Sequence, residues 1–244
     1  MHGCVRSPVL RLIGVFVAAH LVLACAIGRP EGPAGAPQQP SEPPASLAPG
    51  KQEDGTMTID EFERDANAAV AVAERYWSAR FANSGQRFVP IRRVITYEEA
   101  GEVTCGREPL PANNAAYCPD GDFIAYDVDW AVVAFRRVGD AFLFYLLGHE
   151  YAHAIQVRLG INYRYTIQQE LQADCLAGAY IGDSVRGGSL TLDNGDLDEF
   201  RSGLLAVGDD PDQPWFAPGA HGSAEQRTEA FFDGYERSVN ACLS

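Results

Sequence analysis

The chain has 244 residues, with 33 Asp and Glu against 19 Lys and Arg, six cysteines, five histidines and a formal net charge of −14. That length suits one folded domain with a small appendage, and 46% hydrophobic residues exclude global disorder. The acidic balance excludes a nucleic-acid binder, which needs clustered Lys and Arg to neutralise phosphates.

Arg6 and Arg11 precede an apolar run from Leu12 to Leu23. The run is too short to span a bilayer comfortably and suits the core of a signal peptide. It ends Val22-Leu23-Ala24-Cys25, which resembles the bacterial lipobox, where cleavage falls before the cysteine and its thiol receives lipid. The expectation is a signal peptide over 1–24 and an exported, extracytoplasmic domain, anchored to the cell membrane through Cys25. An ordinary signal peptide with an incidental cysteine, or an uncleaved anchor, is the alternative. Residues 26–55 hold seven of the fifteen prolines, so 25–57 reads as an extended, semi-rigid linker.

Cleavage would remove Arg6, Arg11, His2 and His20, leaving 17 basic residues, a net charge of −16 and three histidines: His149, His153 and His221. Four cysteines would remain besides Cys25, and export makes disulfides the expectation. Three pairings are open. A local closure Cys105–Cys118 with a C-terminal staple Cys175–Cys242 is favoured, and four buried thiols are the alternative.

The domain expected over 58–244 is α+β and mostly helical, with a small sheet. Thr58 or Asp60 can cap a helix whose apolar residues, Phe62 to Phe81, recur at spacings of three and four. Asn83-Ser84-Gly85 stops it. Phe88–Tyr97 reads as a strand, 101–122 as a loop and Phe123–Asp127 as a short strand. That last strand either pairs with an extended peptide or lies inside the sheet. Trp130–Val138 reads as a short helix. Asp140 opens an intensely apolar helix that ends at Gly160; a helix apolar on all sides sits at the centre of its domain. Helices follow over 166–185 and 196–207. Ser223-Ala224-Glu225-Gln226 is a capping box for a last one, reaching about 240.

The apolar helix carries His149-Glu150-Tyr151-Ala152-His153. Histidines four apart share one face, so both imidazoles reach a single zinc ion. Glu150, roughly 100° round the helix, reaches a metal-bound water without being a ligand. A zinc hydrolase wants three protein ligands and an open position. Glu170-Leu171-Gln172-Ala173-Asp174 supplies Glu170 as the third and Asp174 as a partner for the free ring nitrogen of one histidine. Which histidine is not legible. His221 is read as an oxyanion donor or substrate contact, as a fourth ligand or as a structural loop residue. Arg227 is expected to pair with a core carboxylate. Tyr151, Tyr163, Tyr165 and Tyr180 flank the motifs and read as packing.

Gly148-His149-Glu150-Tyr151-Ala152-His153 with Gln156, Glu170 to Gly178, Gly208-Asp209-Asp210, and His221 to Arg227 together resemble the bacterial neutral zinc metallopeptidases, over roughly 60–242. The resemblance implies a zincin-like domain, with the gluzincin set of two His and one Glu around a central helix. It also implies one Zn2+ per chain and a peptide or protein substrate. Many members keep an uncleaved membrane helix, from which Cys25 and the proline tether depart. The expected reaction is Glu150-assisted attack of zinc-bound water on a peptide bond. A zinc-binding lipoprotein scaffold without turnover and a zinc amidase acting on cell-wall peptides are the other readings. No residue pattern specifies an oligomeric state.

Overall fold

A computed structural model describes residues 57–243, apart from 211, 212, 215 and 218. The leader, Cys25 and the proline-rich segment 26–55 lie outside the described residues. Helix α1 (Ile59–Asn83) starts at Thr58, whose hydroxyl accepts from the Glu61 amide while the Glu61 carboxylate reaches back to the Thr58 N–H. That reciprocal pair satisfies two of the donors a helix start leaves bare. The buried stripe Phe62, Ala66, Ala69, Ala73, Trp77 and Phe81 faces the core.

The strand expected over Phe88–Tyr97 is shorter: β1 is Arg93–Tyr97. Pro90 lacks a donor for a ladder, and the Arg92 N–H goes to the Asp122 carbonyl instead. Residues 101–122 are also not plain loop. They hold a two-residue hairpin, β2 (Thr104–Cys105) with β3 (Glu108–Pro109), and a four-residue strand β4 (Ala115–Cys118). Strand β5 (Phe123–Asp127) is buried throughout and lies inside a sheet of order β1-β5-β4, parallel to β1 and antiparallel to β4. Of its two expected places, the interior one is occupied, which leaves β4 as an edge. Cys105 is bonded to Cys118 and Cys175 to Cys242.

Asp127 caps α2 (Val128–Val138) by accepting from the Trp130 N–H. Helix α3 (Ala141–Leu159) buries fourteen of its nineteen residues and closes on Gly160 in the left-handed conformation (φ 66°). Helix α4 (Thr166–Arg186) packs on α3, with the Tyr180 hydroxyl donating to the Phe144 carbonyl at 2.6 Å. Helix α5 is Asp196–Val207 and α6 is Ala224–Arg237, opened by the Ser223–Gln226 capping box. Helix α6 ends short of 240: Ser238 turns to φ 67°, and a 3-10 turn over Val239–Ala241 follows. Among the described residues no helix is long and apolar enough to cross a membrane.

Helices α4 and α6 cross backbone to backbone. A Cβ on Gly178 would fall 1.9 Å from the Phe231 carbonyl oxygen, and one on Gly234 would fall 1.9 Å from that of Cys175. Neither neighbour is a flexible side chain, so relief means moving a helix. Gly178→Ala is therefore expected to destabilise the domain by about 1–3 kcal/mol or more through overpacking. Urea unfolding monitored by far-UV circular dichroism checks this; wild-type stability would contradict the close crossing.

Candidate metal centre

The site grows from the two helices at the centre of the fold. On α3, His149 and His153 stand one turn apart with rings edge to face, centroids 4.8 Å apart. Their Nε2 atoms approach to 3.2 Å. Glu170 of α4 meets both, Oε2 lying 3.2 Å from His149 Nε2 and Oε1 lying 3.5 Å from His153 Nε2. One donor atom from each of the three residues lies within 4.8 Å of the others. Two imidazole nitrogens and one carboxylate oxygen, with a cleft above them, are the donor set and open geometry that suit a catalytic zinc ion.

Each histidine is held through its other nitrogen. His149 Nδ1 donates to Asp174 Oδ1 at 2.8 Å, which settles the histidine that Asp174 serves. Asp174 is fully buried and also accepts from the Tyr145 hydroxyl at 2.9 Å and from Arg227 at 2.8 and 3.0 Å. His153 Nδ1 lies 2.9 Å from Gln156 Oε1. Arg227 thus pairs with a core carboxylate as expected, whereas Tyr145 and Gln156 had drawn no role from their sequence positions. Gln156 sits three residues after His153, a spacing that puts both on one helical face, and that was the available signal.

Burial opposes charge on these groups, and their mutual attraction outweighs it. The Asp174 carboxylate raises the His149 imidazole to about 10 against that burial, and Glu170 shifts His153 upward against its own burial. In turn the imidazoles hold Glu170 far below the usual carboxylate range, and His149 with Arg227 lowers Asp174 against its burial. A metal ion must displace the imidazole protons. Because the His149 value is raised, that proton is still bound at pH 7 in the metal-free protein. Zinc uptake at pH 7 is expected to release about one proton or more, and apparent affinity to climb with pH towards 10. Calorimetry in buffers of different ionisation enthalpy reads the proton count; net proton uptake would contradict the arrangement.

Glu150, the next residue along α3, is buried but stands outside the three-residue cluster. Its Oε2 accepts from the Tyr117 N–H of β4 at 2.7 Å. Tyr117 pairs with Ile124 on the other side of the strand, so this amide points away from the sheet. Alternation in an antiparallel ladder turns Ala115 the same way. The two helical and strand elements enclose a cleft of about 590 Å3, lined by Ala115, Tyr117, His149, Glu150, Glu170 and His221 among others. His221 is half exposed, outside the donor cluster, with Nδ1 3.4 Å from Asp209 Oδ1. The other Asp209 oxygen accepts from the backbone N–H of His221 and Gly222 at 2.6 and 2.8 Å. Tyr151 and Tyr180 are buried and bonded within the protein, to Glu74 and Phe144.

A second carboxylate group, Asp140, Asp196 and Glu199, gathers where α3 and α5 begin. Glu199 accepts from the Ala141 N–H at the start of α3 at 3.1 Å, and Asp196 from the Asp193 N–H ahead of α5 at 2.8 Å, so both of these acids serve backbone donors.

A profile of the family described as "Putative neutral zinc metallopeptidase" matches residues 2–244. The uncharacterized protein YpfJ of Escherichia coli is 26% identical over 216 residues, covering 77% of this chain and 74% of that one. The uncharacterized proteins Mb2605 of Mycobacterium bovis and Rv2575 of Mycobacterium tuberculosis are each 31% identical over 170 residues, covering 56% of this chain and 57% of theirs. No solved structure matches.

Proposed function

The chain belongs to the neutral zinc metallopeptidase family, and from that membership we propose that it hydrolyses peptide bonds, with His149, His153 and Glu170 holding one zinc ion and Glu150 moving the proton. The observation that carries the reading is the convergence of two imidazole nitrogens and a carboxylate on a cleft that also receives a separate carboxylate. Zinc, when bound, is a Lewis acid that lowers the pKa of a water molecule towards about 7 and polarises a carbonyl.

The chain's own residues supply the rest. Glu150 accepts the proton of the attacking water and delivers it to the leaving amine. The Tyr117 N–H holds Oε2, so Oε1 is the oxygen that carries the proton. His221 reaches into the same cleft as donor to the developing oxyanion or to the substrate. With the Tyr117 N–H taken by Glu150, the outward N–H and carbonyl of Ala115 and the outward carbonyl of Tyr117 offer an edge on which an extended peptide can lie. The arginines, apolar run and Cys25 of the leader support export and a lipid anchor, with the proline-rich segment as spacer.

Purified protein is incubated with casein and, separately, with cell-wall fragments, each with and without a chelator. Chelator-sensitive cleavage of casein is expected. Cleavage of wall fragments alone would reassign the enzyme as an amidase, and no cleavage with stoichiometric zinc would make it a scaffold.

A further inference from the structure

His153 is oriented by more than its neighbour. Gln156 lies 1% exposed beneath it, and Gln172 of α4 lies 8% exposed beyond that. Gln156 Nε2 donates to the Gln169 carbonyl at 2.8 Å and to Gln172 Oε1 at 3.1 Å. Gln172 Nε2 donates to the Cys242 carbonyl at 2.9 Å. Cys242 is tied to Cys175, three residues along α4 from Gln172.

The direction of every bond in this chain follows from its far end. A backbone carbonyl only accepts, so Gln172 must turn its NH2 to Cys242 and its oxygen to Gln156. The Gln169 carbonyl imposes the same choice on Gln156, which must turn its NH2 towards Gln169 and Gln172. Its oxygen is then left for His153 Nδ1. An amide oxygen accepts only, so Nδ1 must carry the hydrogen. Once an imidazole has given up its second proton, the lone pair of His153 therefore belongs to Nε2, the atom that faces His149 and Glu170.

We propose that Gln156 and Gln172 are positioning residues, which relay one hydrogen-bond direction from the Cys242 carbonyl to His153 and so fix the tautomer in which His153 binds metal. The two ligand histidines are set by different chemistry. His149 answers to a buried carboxylate with its own arginine, and His153 to a neutral amide chain anchored in the C-terminal segment. A partner of this kind fixes ring orientation as well as tautomer, and its loss weakens metal binding about 10–100-fold in comparable sites.

The relay rests on the proposed assignment of His149, His153 and Glu170 as zinc ligands. It is tested in the full chain, zinc-loaded and 15N-labelled at histidine, with Gln156→Met and Gln172→Met alongside. In the wild type, Nδ1–H protons of both His149 and His153 are expected as slowly exchanging signals, with the metal on Nε2. Gln172→Met should shift the His153 signal and speed its exchange while leaving that of His149 in place. Zinc affinity, read by competition with a chromophoric chelator, should fall about 10-fold in Gln156→Met and less in Gln172→Met, where Gln169 still holds Gln156.

Wild-type affinity and an unchanged His153 proton in either variant overturn the relay. So does movement of both histidine signals together, which would mean that the glutamines merely pack the helices. Should the variants fail to fold, the wild-type spectrum decides: a His153 Nδ1 without a proton ends the proposal. A wild-type chain that takes up no zinc sinks the metal-centre reading itself, and the relay with it.

Discussion

Glu150→Gln is expected to leave zinc in the protein and to lower peptide hydrolysis by about 10²–10⁴-fold, the range a positioned general base contributes. The substitution keeps the shape of the side chain and an oxygen for the Tyr117 N–H to bond, so the 2.7 Å contact with β4 survives. What it removes is the basic oxygen. Since Glu150 lies outside the cluster of His149, His153 and Glu170, metal content should hold at about one equivalent. His153→Ala is the contrasting variant. It deletes one of the three converging donors, and both zinc and hydrolysis should go. Metal analysis beside a peptide-cleavage assay separates the two. A Glu150→Gln protein that cleaves as fast as wild type would sink the proposed proton shuttle, whatever its zinc content.

The parts of this site that were legible in the sequence are those set by helical period. His149 with His153 and Glu170 with Asp174 are each four apart, and a helix puts such pairs on one face without help from the rest of the fold. The same holds for Gln156, three residues past His153, although its role was not drawn from that spacing. What depends on how elements cross was hidden. Which histidine Asp174 serves depends on α4 packing on α3, where Gly148 makes room for the Tyr180 ring, and Arg227 finds Asp174 because Gly178 and Gly234 let α4 and α6 touch through their backbones, distances that no spacing encodes.

The amide facing Glu150 was hidden more deeply. Strand β4 is four residues long and opens with two alanines, weak strand formers. It forms only because β5 offers a buried partner strand and Cys105 pins Cys118. The stretch read as loop from its Pro, Asn and Gly content, and tertiary pairing overrode that preference. Similarly β1 joins β5 in parallel across some thirty residues of chain, a non-local pairing whose local signal fixed neither its start nor its partner.

Asp174→Ala should destabilise the domain heavily. Its carboxylate is fully buried and accepts from His149, Tyr145 and Arg227 at once. Removing it leaves the Arg227 guanidinium, itself 4% exposed, with the Val207 carbonyl and the Tyr145 hydroxyl as hydrogen-bond partners and no carboxylate bonded to it. A buried cation stripped of its counterion costs about 3–5 kcal/mol. For a domain of this size, each kcal/mol lowers the melting temperature by roughly 2–4 °C. A drop of roughly 6–20 °C is therefore expected in the metal-free protein. Arg227→Met removes the opposite partner, yet Asp174 keeps the His149 imidazole, whose raised affinity for protons supplies a second positive charge. The arginine variant should therefore lose less stability at neutral pH than the aspartate variant. In the metal-free protein the folded His149 pKa of about 10 lies above the ordinary 6.5. Its stabilising contribution is full below 6.5 and is lost as pH rises through 10. Raising the pH from 7 to 10 should accordingly widen the deficit of Arg227→Met relative to wild type, because Asp174 loses its remaining cation. Thermal melts of both metal-free variants across that range read the effect; an arginine variant no more sensitive to alkali than wild type would show that His149 does not share the charge of Asp174.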